Sequence, residues 1–263
     1  MSKKKYGNKT KLSIVIPVLN EGKNLKILLK LLKSMIDVPH EVLVVHDIIE
    51  DNSIPVVESL QKNYNGLRLV HNKTGKGVIY AIKSGVSEAK GDYVLIIAAD
   101  DIGPVLIIKD MLTLMDRGCE LVNATRYAYG GRNIGGVFLS RMLSVTANKI
   151  LYKLSNFSLT DSTLGVKMFK RDKFNQIKLE SLPIGWAVSF EFAIKAQLAG
   201  WKIGEVPMVS LNRIQGGKSS FRARKWVREY LKWFFWGISK NNIPNKSKVL
   251  IKIPGKKKIS TIN

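Results

Sequence analysis

The chain has a single cysteine, Cys119, among 263 residues. That excludes an internal disulfide and a four-cysteine zinc site, and it points to a reducing compartment. Histidine is almost as scarce: His40, His46 and His71 are the only three, and their spacing matches no metal-ligand pattern. Long apolar runs are missing too. No stretch reaches the roughly 18–20 apolar residues needed to span a bilayer, and Tyr93 to Ala99 is only seven long. The basic start M-S-K-K-K-Y-G-N-K-T-K has no long apolar region behind it. The run from Leu12 to Leu19 contains Pro17 and ends in Asn20-Glu21, which reads as a first core strand rather than a secretion signal. T-G-K-G-V lacks the glycine and lysine spacing of a P-loop, which disfavours a kinase or NTPase.

Acidic residues are few, 20 against 43 Lys+Arg, for a net charge of +23. A surplus of that size speaks to polyanionic partners, phosphates or an anionic membrane surface, and says nothing about fold. Hydrophobic residues at 45% and charged residues at 24% are ordinary for a globular protein with a core. The positive charge is uneven. Between Lys202 and Lys258 there are 15 Lys+Arg and two acids, Glu205 and Glu229, which is +13 of the total.

Within that region lies F-R-A-R-K-W-V-R-E-Y-L-K-W-F-F-W-G-I, residues 221–238. Trp226, Tyr230, Trp233 and Phe234 recur at helical spacing, with Arg222, Lys225, Arg228 and Lys232 interleaved. Tryptophans beside cations describe an interfacial helix, with rings at headgroup level. The same pattern also suits a C-terminal helix packed on the core with its basic residues in water. Residues 221–240 are therefore expected as an amphipathic helix. Residues 1–11 are expected as a basic N-terminal tail, and the Lys-rich residues 241–263 as a loosely ordered C-terminal one.

The first 125 residues alternate strand and helix patterns. K-L-S-I-V-I-P-V, E-V-L-V-V-H, L-R-L-V-H, D-Y-V-L-I-I-A-A and E-L-V-N-A-T read as strands. Leu25, Leu28, Leu29 and Leu32 form one face of a first helix, with Asn20 or Asn24 as cap. Further helices are expected at Pro55–Tyr64, after T-G-K-G, and at Val105–Met115. Near-continuous apolar strands separated by helices predict an α/β fold with a mainly parallel sheet covered on both faces. Ligands of such sheets bind at the carboxyl ends of the strands.

Three of those ends are acidic: N-E-G after strand one, H-D-I-I-E-D-N-S after strand two, and A-A-D-D after strand four. Such carboxylates accept hydrogen bonds from a nucleobase or ribose, and Asp100 suits a divalent cation that bridges to a diphosphate. Downstream segments supply Arg126, Arg132, Arg141, Arg213 and Lys218, and guanidinium groups bind phosphate bidentately. Together these predict two anionic ligands, a nucleotide diphosphate and a second phosphate.

I-P-V-L-N-E, Asp47, A-A-D-D and A-T-R-Y-A-Y-G-G-R, in that order, resemble the family 2 glycosyltransferases of GT-A fold. D-S-T-L-G-V-K-M-F-K-R, L-P-I-G-W-A-V-S-F-E and R-I-Q-G-G-K-S-S-F resemble the dolichol-phosphate (polyprenyl-phosphate) mannosyltransferase branch. The resemblance covers residues 12–236, and it implies a GT-A domain over 12–220. It implies that Pro17, Leu19, Glu21, Val45, Asp47, Ala99 and Asp100 line the nucleotide sugar. It implies that Asp100 binds Mg or Mn, and that Arg126, Arg141, Arg213, Lys218 and Ser219 surround the phosphates. Asp100, Arg126 and Arg213 are the expected catalytic residues. The implied reaction moves a hexose, with inversion, from GDP-mannose or UDP-glucose to a polyprenyl or dolichyl phosphate. The expected location is cytoplasmic, peripheral at the cytoplasmic membrane face.

The chain departs from that pattern. Ala98 stands in place of the first D-x-D carboxylate, Ile102 in place of a side-chain metal ligand, His46 in place of an aspartate, and Leu164 in place of a serine. A lipid phosphate is already anionic and needs no general base. A sugar hydroxyl would need one, and Asp101 and Glu191 are then the candidates. Two other readings remain: a family 2 enzyme acting on a soluble or cell-envelope glycan, and a basic nucleic-acid-binding protein. The second lacks any nucleic-acid module signature, so no nucleic-acid partner is expected.

Overall fold

The computed structural model describes residues 10–134, 138–154, 156–211, 223–240 and 248–262, with backbone alone for 138–140, 154 and 223–225. The strands are β1 Leu12–Val18, β2 His40–His46, β3 Leu67–His71, β4 Tyr93–Ile96, β5 Leu121–Thr125, β6 Arg132–Ile134, β7 Lys167–Lys170, β8 Ile203–Pro207, β9 Val209–Leu211, β10 Val249–Lys252 and β11 Ile259–Ile262. The helices are α1 Gly22–Met35, α2 Ile54–Gln61, α3 Val78–Glu88, α4 Ile108–Asp116, α5 Phe138–Leu154, α6 Ala187–Leu198 and α7 Ala223–Ser239.

Nine strands form one sheet in the order β11-β10-β8-β5-β7-β4-β1-β2-β3. Most neighbours are parallel; β7 runs antiparallel between β4 and β5, and β11 antiparallel to β10. The α/β, mainly parallel expectation holds. Helices cover both faces: α1, α2 and α4 pack on one through Leu25, Leu28, Val57 and Met111, and α3 and α6 on the other through Ile79, Ile82, Val188 and Phe192. Apolar side chains on both sides of every central strand explain the near-continuous apolar runs. A separate parallel pair, β6-β9, stands apart from the main sheet.

Three expectations need correction. Residues 249–252 and 259–262 are not tail but strands. Val249 and Ile251 are buried, and Lys252 pairs with Asp110 at 3.0 Å. V-L-I-K and I-S-T-I are too short to stand out among lysines, but an open sheet edge lets them pair. The helix expected at Val105–Met115 begins as a 3-10 turn over Gly103–Ile107 before α4. Neither Asn20 nor Asn24 caps α1 by its side chain. The amide of Gly22 donates to Asn52 Oδ1 (2.8 Å) and that of Glu21 to Ser53 Oγ (3.1 Å), so the cap comes from a distant loop.

Candidate active site

The loops after β1 and β2 lock together. The Asn20 amide donates to Asp51 Oδ2 at 3.0 Å, and the Asn52 amide to Asn20 Oδ1 at 3.3 Å. Asn20 adopts φ 58, the left-handed region that asparagine tolerates. A side chain at Gly22 would run into the Asn52 carbonyl. This interlock presents Pro17, Leu19 and Glu21; Leu19 is 55% exposed. Val45 and Ala99 lie in the core beneath. Asp47 ties β2 to the following glycine turn: Oδ1 accepts from Asn72 Nδ2 and Oδ2 from the Gly77 amide, each at 2.7 Å. The His46 ring lies 4.9 Å from that of His71, its register partner on β3.

β4 leaves the sheet at Ile96, and the chain runs on to half-buried Asp100 and buried Asp101. Asp101 accepts from Ser210 Oγ (2.6 Å), the Gly103 amide (2.9 Å) and the Leu211 amide (3.0 Å). Burial raises its carboxyl above the ordinary range, against those three donors. Asp101 is therefore committed to structure. Among the described residues no three His, Cys, Asp or Glu side chains gather as a metal cage. The half-buried Asp100 carboxylate at this strand end is of the kind that suits a hard divalent cation.

β5 ends at Thr125, and Arg126 turns toward the strand-crossing segment 160–164. Its Nε donates to Asp161 Oδ2 at 2.8 Å and its Nη2 to Asp161 Oδ1 at 3.1 Å. Asp161 is fully buried. Thr163, Ser144 and Asn148 extend this cluster. A cavity of about 360 Å³ opens beside it, lined among others by Arg126, Tyr127, Arg132, Asn133, Ile134 and Arg141. A side chain at Gly131 would strike the Thr125 carbonyl, so only glycine lets Y-G-G-R fold tightly enough to bring Arg132 round. Arg213, Lys218 and Ser219 lie outside the described residues.

Four residues that sequence reasoning did not single out sit here: Asp161, Lys167, Glu205 and Asn148. Two of them, Asp161 and Lys167, open and close the segment D-S-T-L-G-V-K quoted for the resemblance. Lys167 donates to Asn123 Oδ1 (2.8 Å), Ser162 O and Leu164 O. Glu205 accepts from the Thr160 amide (2.8 Å) and hydroxyl. Full burial pushes Glu205 up to about 8 and Lys167 down to about 7. A carboxyl that titrates higher folded than unfolded stabilises fully at low pH and loses that contribution as pH rises toward its folded value. Lys167 is charged in both states below about 7 and adds no slope there. The wild-type melting temperature is therefore expected to fall between about pH 5 and 7, and that of Glu205→Gln to fall less. Parallel pH profiles for the two proteins would refute this.

Glu191, named as a candidate base, is a salt-bridged helix residue. It accepts from the Glu180 and Ser181 amides at 2.7 and 2.8 Å and pairs with Lys195 at 2.7 Å. Helix α7 packs on α6: Trp233 and Phe234 are buried, and Tyr230 stacks on Phe190 with centroids 5.9 Å apart. Trp233 is thus a core side chain and not a headgroup ring. Arg228, Leu231, Lys232 and Phe235 form one exposed stripe, with Phe235 61% exposed. No helix among the described residues is long and apolar enough to cross a membrane.

The family model described as glycosyl transferase family 2 matches residues 13–178. The chain is similar to a dolichol-phosphate mannosyltransferase of Pyrococcus furiosus, 25% identical over 233 residues, covering 85% of this chain and 64% of that protein. It thus spans under two thirds of that relative's length. It is also similar to the dolichyl-phosphate beta-glucosyltransferase ALG5A of Trichomonas vaginalis, 26% identical over 79% of this chain and 67% of the other. Among solved structures, glucosyl-3-phosphoglycerate synthase from Mycobacterium tuberculosis in complex with phosphoglyceric acid superposes with a TM-score of 0.66 at 16% identity, covering 88% of this chain and 80% of that one. The same enzyme with Mn2+, UDP-glucose and glycerol 3-phosphate gives 0.63 at 17% identity, over 88% and 80% of the two chains.

Proposed function

The chain belongs to glycosyl transferase family 2 and has the GT-A fold, and from that premise we propose that it transfers a hexose from a nucleotide-diphosphate sugar to a polyprenyl phosphate at a membrane surface, with inversion. The observation that carries this reading is the cavity lined by Arg126, Arg132 and Arg141. Its wall includes Ile134, 54% exposed, and Met142 and Leu143 follow Arg141 as exposed apolar residues. Guanidinium groups beside bare apolar side chains suit an acceptor that is a phosphate at one end and hydrocarbon at the other.

In this mechanism a phosphate oxygen of the acceptor attacks the anomeric carbon. The bond from that carbon to the diphosphate oxygen breaks, and the nucleotide diphosphate leaves. The attacking oxygen is already ionised at neutral pH. The two carboxylates named as candidate bases, Asp101 and Glu191, are each held by two or three amide or side-chain donors. A phosphate acceptor needs neither as a base, whereas a sugar hydroxyl would. Asp100 would hold Mg or Mn, which would supply charge neutralisation for the departing diphosphate. Asp47 and the interlocked loops hold the nucleoside end, and the arginines orient the attacking group. The exposed basic and apolar stripe of α7 supports docking at an anionic surface, peripheral to the membrane.

The test is transfer from GDP-mannose and from UDP-glucose, with Mn2+, to farnesyl phosphate, to glycerol phosphate and to free saccharides. Farnesyl phosphate is expected to be the best acceptor. Transfer confined to saccharides would overturn the reading. In parallel, the protein should sediment with phosphatidylserine vesicles at low salt and be released as salt rises. Absence of sedimentation would reduce α7 to a packing helix.

A further inference from the structure

Asp101 follows the proposed cation carboxylate directly, yet the three donors that hold it, Gly103, Ser210 and Leu211, lie in its own turn or on the acceptor side. Ser210 and Leu211 belong to β9, 109 and 110 residues further along. β9 pairs in register with β6, Arg132 opposite Val209, Asn133 opposite Ser210 and Ile134 opposite Leu211. The Arg132 amide adds a bond to Met208 O at 2.9 Å. Arg132, Asn133 and Ile134 are a wall of the arginine cavity. A side chain at Gly103 would collide with the Val209 carbonyl, so β9 is drawn directly against the turn that follows Asp101. Arg213 lies two residues beyond Leu211 in the chain.

We infer that Asp101 is a positioning residue: its carboxylate pins β9, and through it the Arg132–Ile134 wall of the acceptor cavity, to the strand end that carries Asp100. The β6-β9 pair lies outside the main sheet, and its tie to that sheet, the Met208 amide donating to Thr125 O at 2.9 Å, is on the β5 side. The buried Asp101 carboxylate with its three donors supplies the tie to the β4 end, and hydrogen bonds to a charged group are the strong ones. In-line transfer requires the two sites to keep a set separation, and a shift of about 1 Å costs on the order of a hundredfold in rate. The inference rests on the acceptor phosphate occupying the arginine cavity, as proposed above.

The test compares wild type with Ser210→Ala, Asp101→Asn and Asp101→Ala. Transfer to farnesyl phosphate is read as KM and kcat, and the Kd of GDP and UDP with Mn2+ is read by calorimetry. Ser210→Ala is expected to raise the acceptor KM about tenfold, the worth of one hydrogen bond to a charged group, with the nucleotide Kd within about twofold of wild type. Asp101→Ala should raise the KM further, and Asp101→Asn should recover part of that loss, because an amide oxygen still accepts from Gly103 and Leu211. A nucleotide Kd that moves as much as the acceptor KM would make Asp101 a donor-site residue and overturn the inference. An unchanged KM in Ser210→Ala would also overturn it. Where Asp101→Ala fails to fold, Ser210→Ala decides alone.

Should wild type ignore farnesyl phosphate, the lipid reading fails by itself. The inference is then read from inorganic phosphate binding to the cavity, followed by calorimetry. Weaker phosphate binding in Ser210→Ala with intact nucleotide binding sustains it, and equal phosphate binding in the two proteins refutes it.

Discussion

Asp100→Asn is expected to lower transfer by about a thousandfold or more, corresponding to the loss of several kcal/mol of charge stabilisation at the departing diphosphate. Melting temperature should barely change, since Asp100 is half-buried at a strand end and lies outside the core clusters. The effect is large because Ala98 removes the usual second carboxylate, and Asp101 is tied to β9. Among the described residues no three His, Cys, Asp or Glu side chains gather as an alternative cage. Initial rates with and without Mn2+ make the check, together with a chelator control on wild type. The variant should lose the Mn2+ dependence of nucleotide binding as well as turnover. Wild-type turnover in Asp100→Asn would remove this residue from the cation site.

Arg126→Ala is expected to do two kinds of damage. From sequence alone, an arginine at a phosphate site should affect turnover far more than stability. The structure changes that expectation, because Arg126 holds a fully buried aspartate bidentately. Removing one partner of a buried pair leaves the other charge without compensation and costs about 3–5 kcal/mol. A fall in stability of that order by urea denaturation is expected, along with loss of transfer. Arg126→Lys should keep part of the stability, but it should not restore transfer, since an ammonium cannot replace a planar fork. Asp161→Asn gives the complementary reading: a milder fall in stability, with the arginine still present but less firmly held. Wild-type stability in Arg126→Ala would mean that the pair contributes nothing to the fold.

The central strands were legible because they are covered on both faces, and such strands are apolar throughout. β7 was harder to see, since four residues, K-M-F-K, include two lysines. Lys167 is nonetheless fully buried, held by a side-chain amide and two carbonyls. Polar residues buried by mutual satisfaction look like surface residues in a sequence. The same holds for Glu205 and Asp161, which composition counts as ordinary acids. Trp233 was ambiguous for the opposite reason. An aromatic stripe beside cations suits a headgroup layer and equally a helix packed on another helix. Only the position of α6 decides, with Lys195 lying 4.9 Å from the Trp233 ring centroid.

By itself the sequence determined the α/β class, the acidic strand ends and the family, because apolar periodicity and short motifs are local properties that survive without a partner. The tertiary structure alone decided which charges are tied up within the fold. Asp100 and Asp101 are neighbours in the chain, and the second is held by Ser210 and Leu211 of β9. Arg126 and Asp161 are 35 residues apart, yet they make one buried pair. Whether a carboxylate is committed depends on donors brought from distant segments, and that convergence exists only once the chain has folded.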